Sequence, residues 1–137
     1  MRVIKLELNR FRNYKNEVIT FDDGVNIFFG KNGEGKTNVL EAIYMLSLGR
    51  SFRTNREKEM IHLESETAYV RAIVESYGKE YKIEYKIDSK IKKAIKVNGL
   101  PIERLSELLG IINVVIFSPE DLSLVKDGPK ERRNFID

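Results

Sequence analysis

A chain of 137 residues can bury one hydrophobic core, and 42% hydrophobic against 33% charged residues is a globular balance that excludes a disordered tail. The absence of cysteine excludes disulfides and thiolate metal sites. No apolar run nears the ~20 residues of a membrane span, and Met1–Leu8 mixes charged with apolar residues unlike a secretory signal, so a cytoplasmic location is expected. Lys and Arg number 24 against 21 Asp and Glu, a net charge of +3. That permits nucleic-acid binding without arguing for it.

Ile4, Leu6 and Leu8 alternate with Val3, Lys5 and Glu7, the period of a half-buried strand. Phe11–Asn16 interrupts it, a second strand is expected at Glu17–Phe21, and Asp22-Asp23-Gly24 reads as a turn. Val25–Phe29 is nearly continuous in apolar residues, as in a strand buried on both faces. It runs directly into Gly30. Lys36–Leu48 then carries Val39, Leu40, Ile43, Leu46 and Leu48 at helical spacing, with Gly49 placed to end the helix.

After the basic stretch Arg50–Lys58, three strands are expected at Thr67–Glu75, Tyr81–Ile87 and Ile91–Val97, the last closed by an Asn98-Gly99 turn. Their order suggests an antiparallel sheet. Pro101–Leu109 reads as a short proline-opened helix ending at Gly110. Ile111–Phe117 reads as a second buried strand delivering Ser118-Pro119-Glu120-Asp121 to a loop. Pro129–Asp137 begins a charged helix with no ending, so the chain is expected to be the front part of a longer protein.

The segment Gly30-Lys31-Asn32-Gly33-Glu34-Gly35-Lys36-Thr37 satisfies G-x-x-x-x-G-K-[ST] in full. Its glycines allow consecutive backbone N–H groups to converge on phosphate oxygens, and the following helix start favours an anion. Lys36 is expected to bridge β- and γ-phosphates and Thr37 to offer its hydroxyl to Mg²⁺. A glycine turn with a chance lysine is the bland alternative; a chance match arises in roughly 0.5% of chains this long. Binding of ATP with magnesium is the expectation.

Four features are weaker. Glu120 and Asp121 follow a strand-like run as a magnesium carboxylate would, but come after a proline, so turn capping is the simpler role. His62 has no metal-ligand partners at suitable spacing and reads as a surface residue. Arg50, Arg53, Arg56 and Lys58 form either a solvated loop or a patch that tracks DNA phosphates, diluted by Glu57 and Glu59. Lys79, Lys82, Lys86, Lys90, Lys92, Lys93 and Lys96 against Glu80, Glu84 and Asp88 read first as a solvated strand face, with DNA contact the sharper alternative.

Taken together, Leu8-Asn9-Arg10-Phe11-Arg12-Asn13-Tyr14, the Gly30–Thr37 loop with Asn38-Val39-Leu40-Glu41-Ala42-Ile43, Gly49–Arg53, Phe117–Leu122 and the closing Gly128–Asp137 resemble the N-terminus of the RecF family of bacterial DNA-repair proteins. The resemblance covers the whole chain. It implies an α/β P-loop NTPase lobe similar to the heads of ABC-type ATPases such as Rad50 and SMC proteins. Such a lobe would be a partial domain with a mixed core sheet and an antiparallel β subdomain. Its expected segments are 1–60 (strand pair, loop and helix), 61–100 (β subdomain) and 101–137 (helix, core strand and the start of a helical segment).

The resemblance further implies an ATP-dependent homodimer that binds DNA at gaps or single/double-strand junctions and works with RecR and RecO in recombinational repair. Arg12, Asn13 and Asn38 would approach the nucleotide, and Arg50 and Arg53 would lie near DNA. Three family features are missing: a glutamine after the strand matching Ile111–Phe117, the signature motif, and an apolar run ending in Asp-Glu. The longer dimer would be a slow DNA-stimulated ATPase, whereas these residues alone would bind ATP but hydrolyse it poorly. The rival functions are a small-molecule phosphotransferase, which would want an arginine-bearing lid after the loop, and an ATP-stabilised structural clamp without DNA gating.

Overall fold

The computed structural model describes residues 1–91 and 93–118. Lys92, the Pro119-Glu120-Asp121 segment and the closing charged helix expected at Pro129–Asp137 lie outside the described residues. Six strands, β1 (Arg2–Phe11), β2 (Tyr14–Thr20), β3 (Thr67–Ser76), β4 (Lys79–Asp88), β5 (Ala94–Val97) and β6 (Leu100–Pro101), form one sheet in the order β2-β1-β3-β4-β5-β6. Every pairing among them is antiparallel. The strand pair expected beside the glycine loop therefore belongs to the same sheet as residues 67–97.

Strand alternation decides which side of this sheet becomes core. Leu6 and Leu8 of β1, Ala68, Val70, Ala72 and Val74 of β3, Ile83, Tyr85 and Ile87 of β4, and Ile95 of β5 are all buried. The ladders Leu6–Ala72–Ile83 and Leu8–Val70–Tyr85 align them across strands. The helix α1 (Lys36–Leu48) lays Val39, Ala42, Met45 and Leu46 onto that face. Each large side chain so buried is worth ~1.5–3 kcal/mol. The helix ends where its sequence indicated, with Gly49 in the left-handed conformation at φ 66° and its N–H bonded to the Met45 carbonyl. A Cβ at Gly49 would also press on the Leu105 side chain, at a φ that L-residues rarely adopt.

Four expectations are corrected. Val25–Phe29 is not a strand: Val25, Ile27 and Phe29 are 85%, 79% and 92% exposed, Phe28 lies edge-on to Phe21, and Asn26 bonds back to Asp22. Ile111–Phe117 is likewise unpaired, with Ile112 buried and Ser47 Oγ donating to its carbonyl, but Val115 95% exposed. Both runs are extended chain without a neighbouring strand among the described residues, so the mixed core sheet does not form within them. Pro101 closes β6 instead of opening a helix, and the expected helix shrinks to a 3-10 turn at Leu105–Glu107. Finally, β5 starts at Ala94, and Ile91 is exposed. The Asn98-Gly99 turn forms as read, with both residues at positive φ.

The sheet grips the C-terminal end of α1 through polar contacts. Tyr85 Oη and Lys93 Nζ both donate to the Gly49 carbonyl, at 2.8 and 2.9 Å. Burial, and secondarily Glu57, push the Tyr85 hydroxyl well above the ordinary value of 10.0. Stability from this group is thus complete below the unfolded tyrosine value and declines as pH rises beyond it. Tyr85→Phe is expected to cost ~1–2 kcal/mol at neutral pH and to flatten the alkaline decline, as read by urea unfolding at about pH 7 and about pH 11.

Candidate phosphate-binding site

Residues 30–35 cross from the extended Val25–Phe29 segment to the start of α1 without regular structure. Gly35 occupies the N-cap at φ 100°, with no side chain capping the helix and no acidic residue in its first turn. The first amides of a helix have no intrahelical acceptor, and here neither a carboxylate nor a hydroxyl satisfies them locally. The end of α1 is therefore open to an external anion.

Lys36 Nζ reaches back over the loop and donates to the carbonyls of Gly30 (2.7 Å) and Lys31 (2.6 Å). Glu34 Oε2 accepts from the Lys31 N–H at 2.8 Å, pinning the loop's outer turn. Asn32 and Gly33 form the exposed tip, and Thr37 is exposed at the helix start. Thr37 and Arg53 line one groove of about 960 Å³ that runs along α1. A smaller cavity of about 480 Å³ lies on the outer sheet face, lined by Glu7, Arg71 and Glu84 but by no loop residue. It plays no part in this site.

The β1–β2 turn closes the other side. Asn38 Nδ2 donates to Asn13 Oδ1 at 2.7 Å, and Asn13 and Tyr14 both crowd Gly35. Burial and then Glu17 raise the Tyr14 pKa, so its hydroxyl stays protonated at neutral pH. Its hydroxyl lies against the backbone of Gly35. Arg12, at φ 54°, donates its own N–H to the Met60 carbonyl. Its Nε and Nη2 form a two-point pair with the Glu41 carboxylate at 2.9 and 2.6 Å, and Nη1 donates to the Glu59 carbonyl.

Glu41 is fully buried, and sequence reasoning gave it no role. The signal was present: a carboxylate on the apolar stripe of an amphipathic helix has to be paired. Ser51 Oγ donates to it at 2.5 Å, and Arg53 Nη1 donates to both Glu41 Oε2 (3.3 Å) and Asn38 Oδ1 (2.7 Å). The structure thus brings Arg12, Asn13, Asn38 and Arg53 together beside the loop. Arg50, Arg56 and Lys58 stay exposed, Arg56 facing Glu59 at 3.8 Å. His62 Nδ1 accepts only the Glu64 N–H, and no metal-binding group of side chains exists among the described residues.

Comparison with known proteins agrees with this geometry. The family described as the RecF/RecN/SMC N terminal domain matches residues 2–124. The chain belongs to that family. It is 54% identical over its whole length to the DNA replication and repair protein RecF of Clostridioides difficile, and 50% identical to that of Clostridium tetani. It spans 37% of the length of each of these relatives. Among solved structures, a recombination mediator RecF bound to ATP superposes with TM-score 0.85 at 42% identity, covering 99% of this chain and 38% of that one. A chain from an SMC ATPase superposes with TM-score 0.82 at 26% identity, covering 98% of this chain and 97% of that one. The architecture is that of a P-loop ATPase head of the RecF and SMC type, present as a partial domain.

Gly35 is the tightest point of the site. A Cβ there would lie 2.8 Å from Asn13 Oδ1 and from Tyr14 Oη, at a φ that L-residues rarely adopt. Gly35→Ala is expected to destabilise the fold by ~1–3 kcal/mol, measured by chemical denaturation, whereas Gly33→Ala, which meets nothing within 4 Å, is expected to cost less.

Proposed function

We propose that the chain is the nucleotide-binding lobe of a DNA-repair ATPase and holds Mg-ATP in the loop Gly30–Thr37. The observation that carries this is an uncapped helix start preceded by the full loop motif, with Lys36 folded over the loop mouth. The donor set fits a triphosphate: backbone amides of the loop, a lysine ammonium, the Thr37 hydroxyl for the cation, and Arg12 and Arg53 at the flank. Magnesium bound with the nucleotide would neutralise phosphate charge. In the proposed bound state Lys36 exchanges its two backbone carbonyls for β- and γ-phosphate oxygens.

Asn13 and Asn38, hydrogen-bonded to each other, would brace the loop from the β1–β2 turn. The related RecF and SMC proteins, named for DNA repair, ATP-driven dimerization and DNA-stimulated activation, support a second step. In that step a longer chain dimerises in an ATP-dependent way and binds DNA, with RecR and RecO as the partners that the family resemblance implies. Arg50, Arg56 and Lys58 are the basic residues placed to meet phosphates. Arg53, also expected at DNA, is hydrogen-bonded to Glu41 and Asn38 beside the loop, which supports reading it with the nucleotide instead.

Lys36→Ala is expected to weaken ATP binding by roughly 10–100-fold, the loss of one charge-assisted hydrogen-bonding group, in a titration with fluorescent ATP. Unchanged affinity would remove the loop from the nucleotide site. For DNA, Arg50→Ala with Arg56→Ala is expected to lower affinity and to flatten its salt dependence by about one counterion per lost phosphate contact. An unaltered slope would exclude these two residues from the DNA surface.

A further inference from the structure

Glu41 is the hub of a closed hydrogen-bonded ring. It receives Arg12 through two bonds and Arg53 through one; Arg53 continues to Asn38, Asn38 to Asn13, and Asn13 is joined by the backbone to Arg12. The ring ties three separate segments to one another: the β1–β2 turn, the first turns of α1, and the loop after α1. The Arg12 side chain is 16% exposed, with Nε and Nη2 on Glu41 and Nη1 on the Glu59 carbonyl, whereas the Arg53 side chain is 41% exposed, so it is Arg53 whose guanidinium reaches solvent.

The charge count follows directly. Two guanidiniums meet one carboxylate, which leaves one positive charge in excess. Arg53 shares a groove with Thr37, the residue that faces the cation and terminal phosphate in loops of this class. Without an anchor, two long flexible side chains would lose rotamer freedom on meeting an anion. With Glu41 in place, that ordering is complete beforehand.

We propose that Glu41 is a positioning residue for the triphosphate. It holds Arg12 and Arg53 so that the uncompensated charge falls beside the terminal phosphate, and it thereby sets the preference for a nucleoside triphosphate over a diphosphate. This rests on the reading of Gly30–Thr37 as the nucleotide site. Glu41 itself touches no ligand.

The test titrates the chain with labelled ATP and labelled ADP, each with magnesium, in wild type, Glu41→Gln and Arg53→Gln, alongside thermal unfolding. Glu41→Gln keeps the side-chain volume but removes the charge that orders both arginines. It is expected to weaken ATP about tenfold while ADP changes less than about twofold. A scaffolding role alone would lower the melting midpoint and weaken both nucleotides equally, which would overturn the proposal. So would tighter ATP binding, which would mean that Glu41 acts only by cancelling positive charge.

Should Glu41→Gln not fold, Arg53→Gln decides the matter, since the Arg12–Glu41 pair remains. An ATP-to-ADP affinity ratio lowered towards that of a site without the arginine supports the proposal; an unchanged ratio sinks it. Failure of the wild-type chain to bind either nucleotide would instead refute the loop assignment on which it stands.

Discussion

The structure depends on α1 meeting two demands at opposite ends. Its middle buries Val39, Ala42, Met45 and Leu46 against the sheet, while its start carries no side-chain cap. A helix fixed only by its own hydrogen bonds would fray at an uncapped start. Here the fixing comes from elsewhere. Tyr85 and Lys93 hold the carbonyl at the far end, Ser47 reaches the Ile112 carbonyl, and the β1–β2 turn packs over Gly35. The open amides are tolerable because the rest of the helix cannot move.

The second constraint is electrostatic. A buried carboxylate is costly unless it is paired and fully hydrogen-bonded. Glu41 meets that condition with Arg12, Arg53 and Ser51, and no buried side-chain polar atom among the described residues lacks a partner. Its location is the informative part. A pair needed only for stability could sit anywhere on the helix, yet this one lies one turn past Thr37 and draws in two segments distant in sequence. The strained left-handed backbone at Arg12 is held by the same contacts, through Met60 and Glu59.

Much of this was legible in the residues because it was periodic. The alternation Tyr81, Ile83, Tyr85, Ile87 named the core face of β4, and the spacing from Val39 to Leu48 with Gly49 named α1 and its end. The glycine loop was legible because each residue type in it has one physical task. Val25–Phe29 and Ile111–Phe117 misled for the opposite reason. An apolar run records that a segment is suited to burial, but a strand exists only where a neighbouring strand accepts its hydrogen bonds. The Arg12–Glu41 pair was illegible in detail, because a contact across 29 residues has no local pattern; only the oddity of a glutamate on a buried helix face pointed to it.

Charge patterning shows the same limit and settles which basic residues are free to act. Counted along the chain, the sheet is rich in lysine, yet many of its charges pair with one another. Arg71 sits between Glu7 and Glu84, Lys82 reaches Glu84, Lys5 reaches Glu7, and Lys90 reaches Glu66. Exposed pairs of this kind add little stability, but each lowers the field that an approaching polyanion would feel. The basic loop after α1 differs, since its one internal pair, Arg56 with Glu59, is long and exposed, while Arg53 is drawn inward to Glu41. The same loop therefore turns Arg53 toward Glu41 and Asn38 and leaves Arg50, Arg56 and Lys58 exposed. A polyanion held by those three would rest on a segment that Ser51 and Arg53 tie to the first turns of α1.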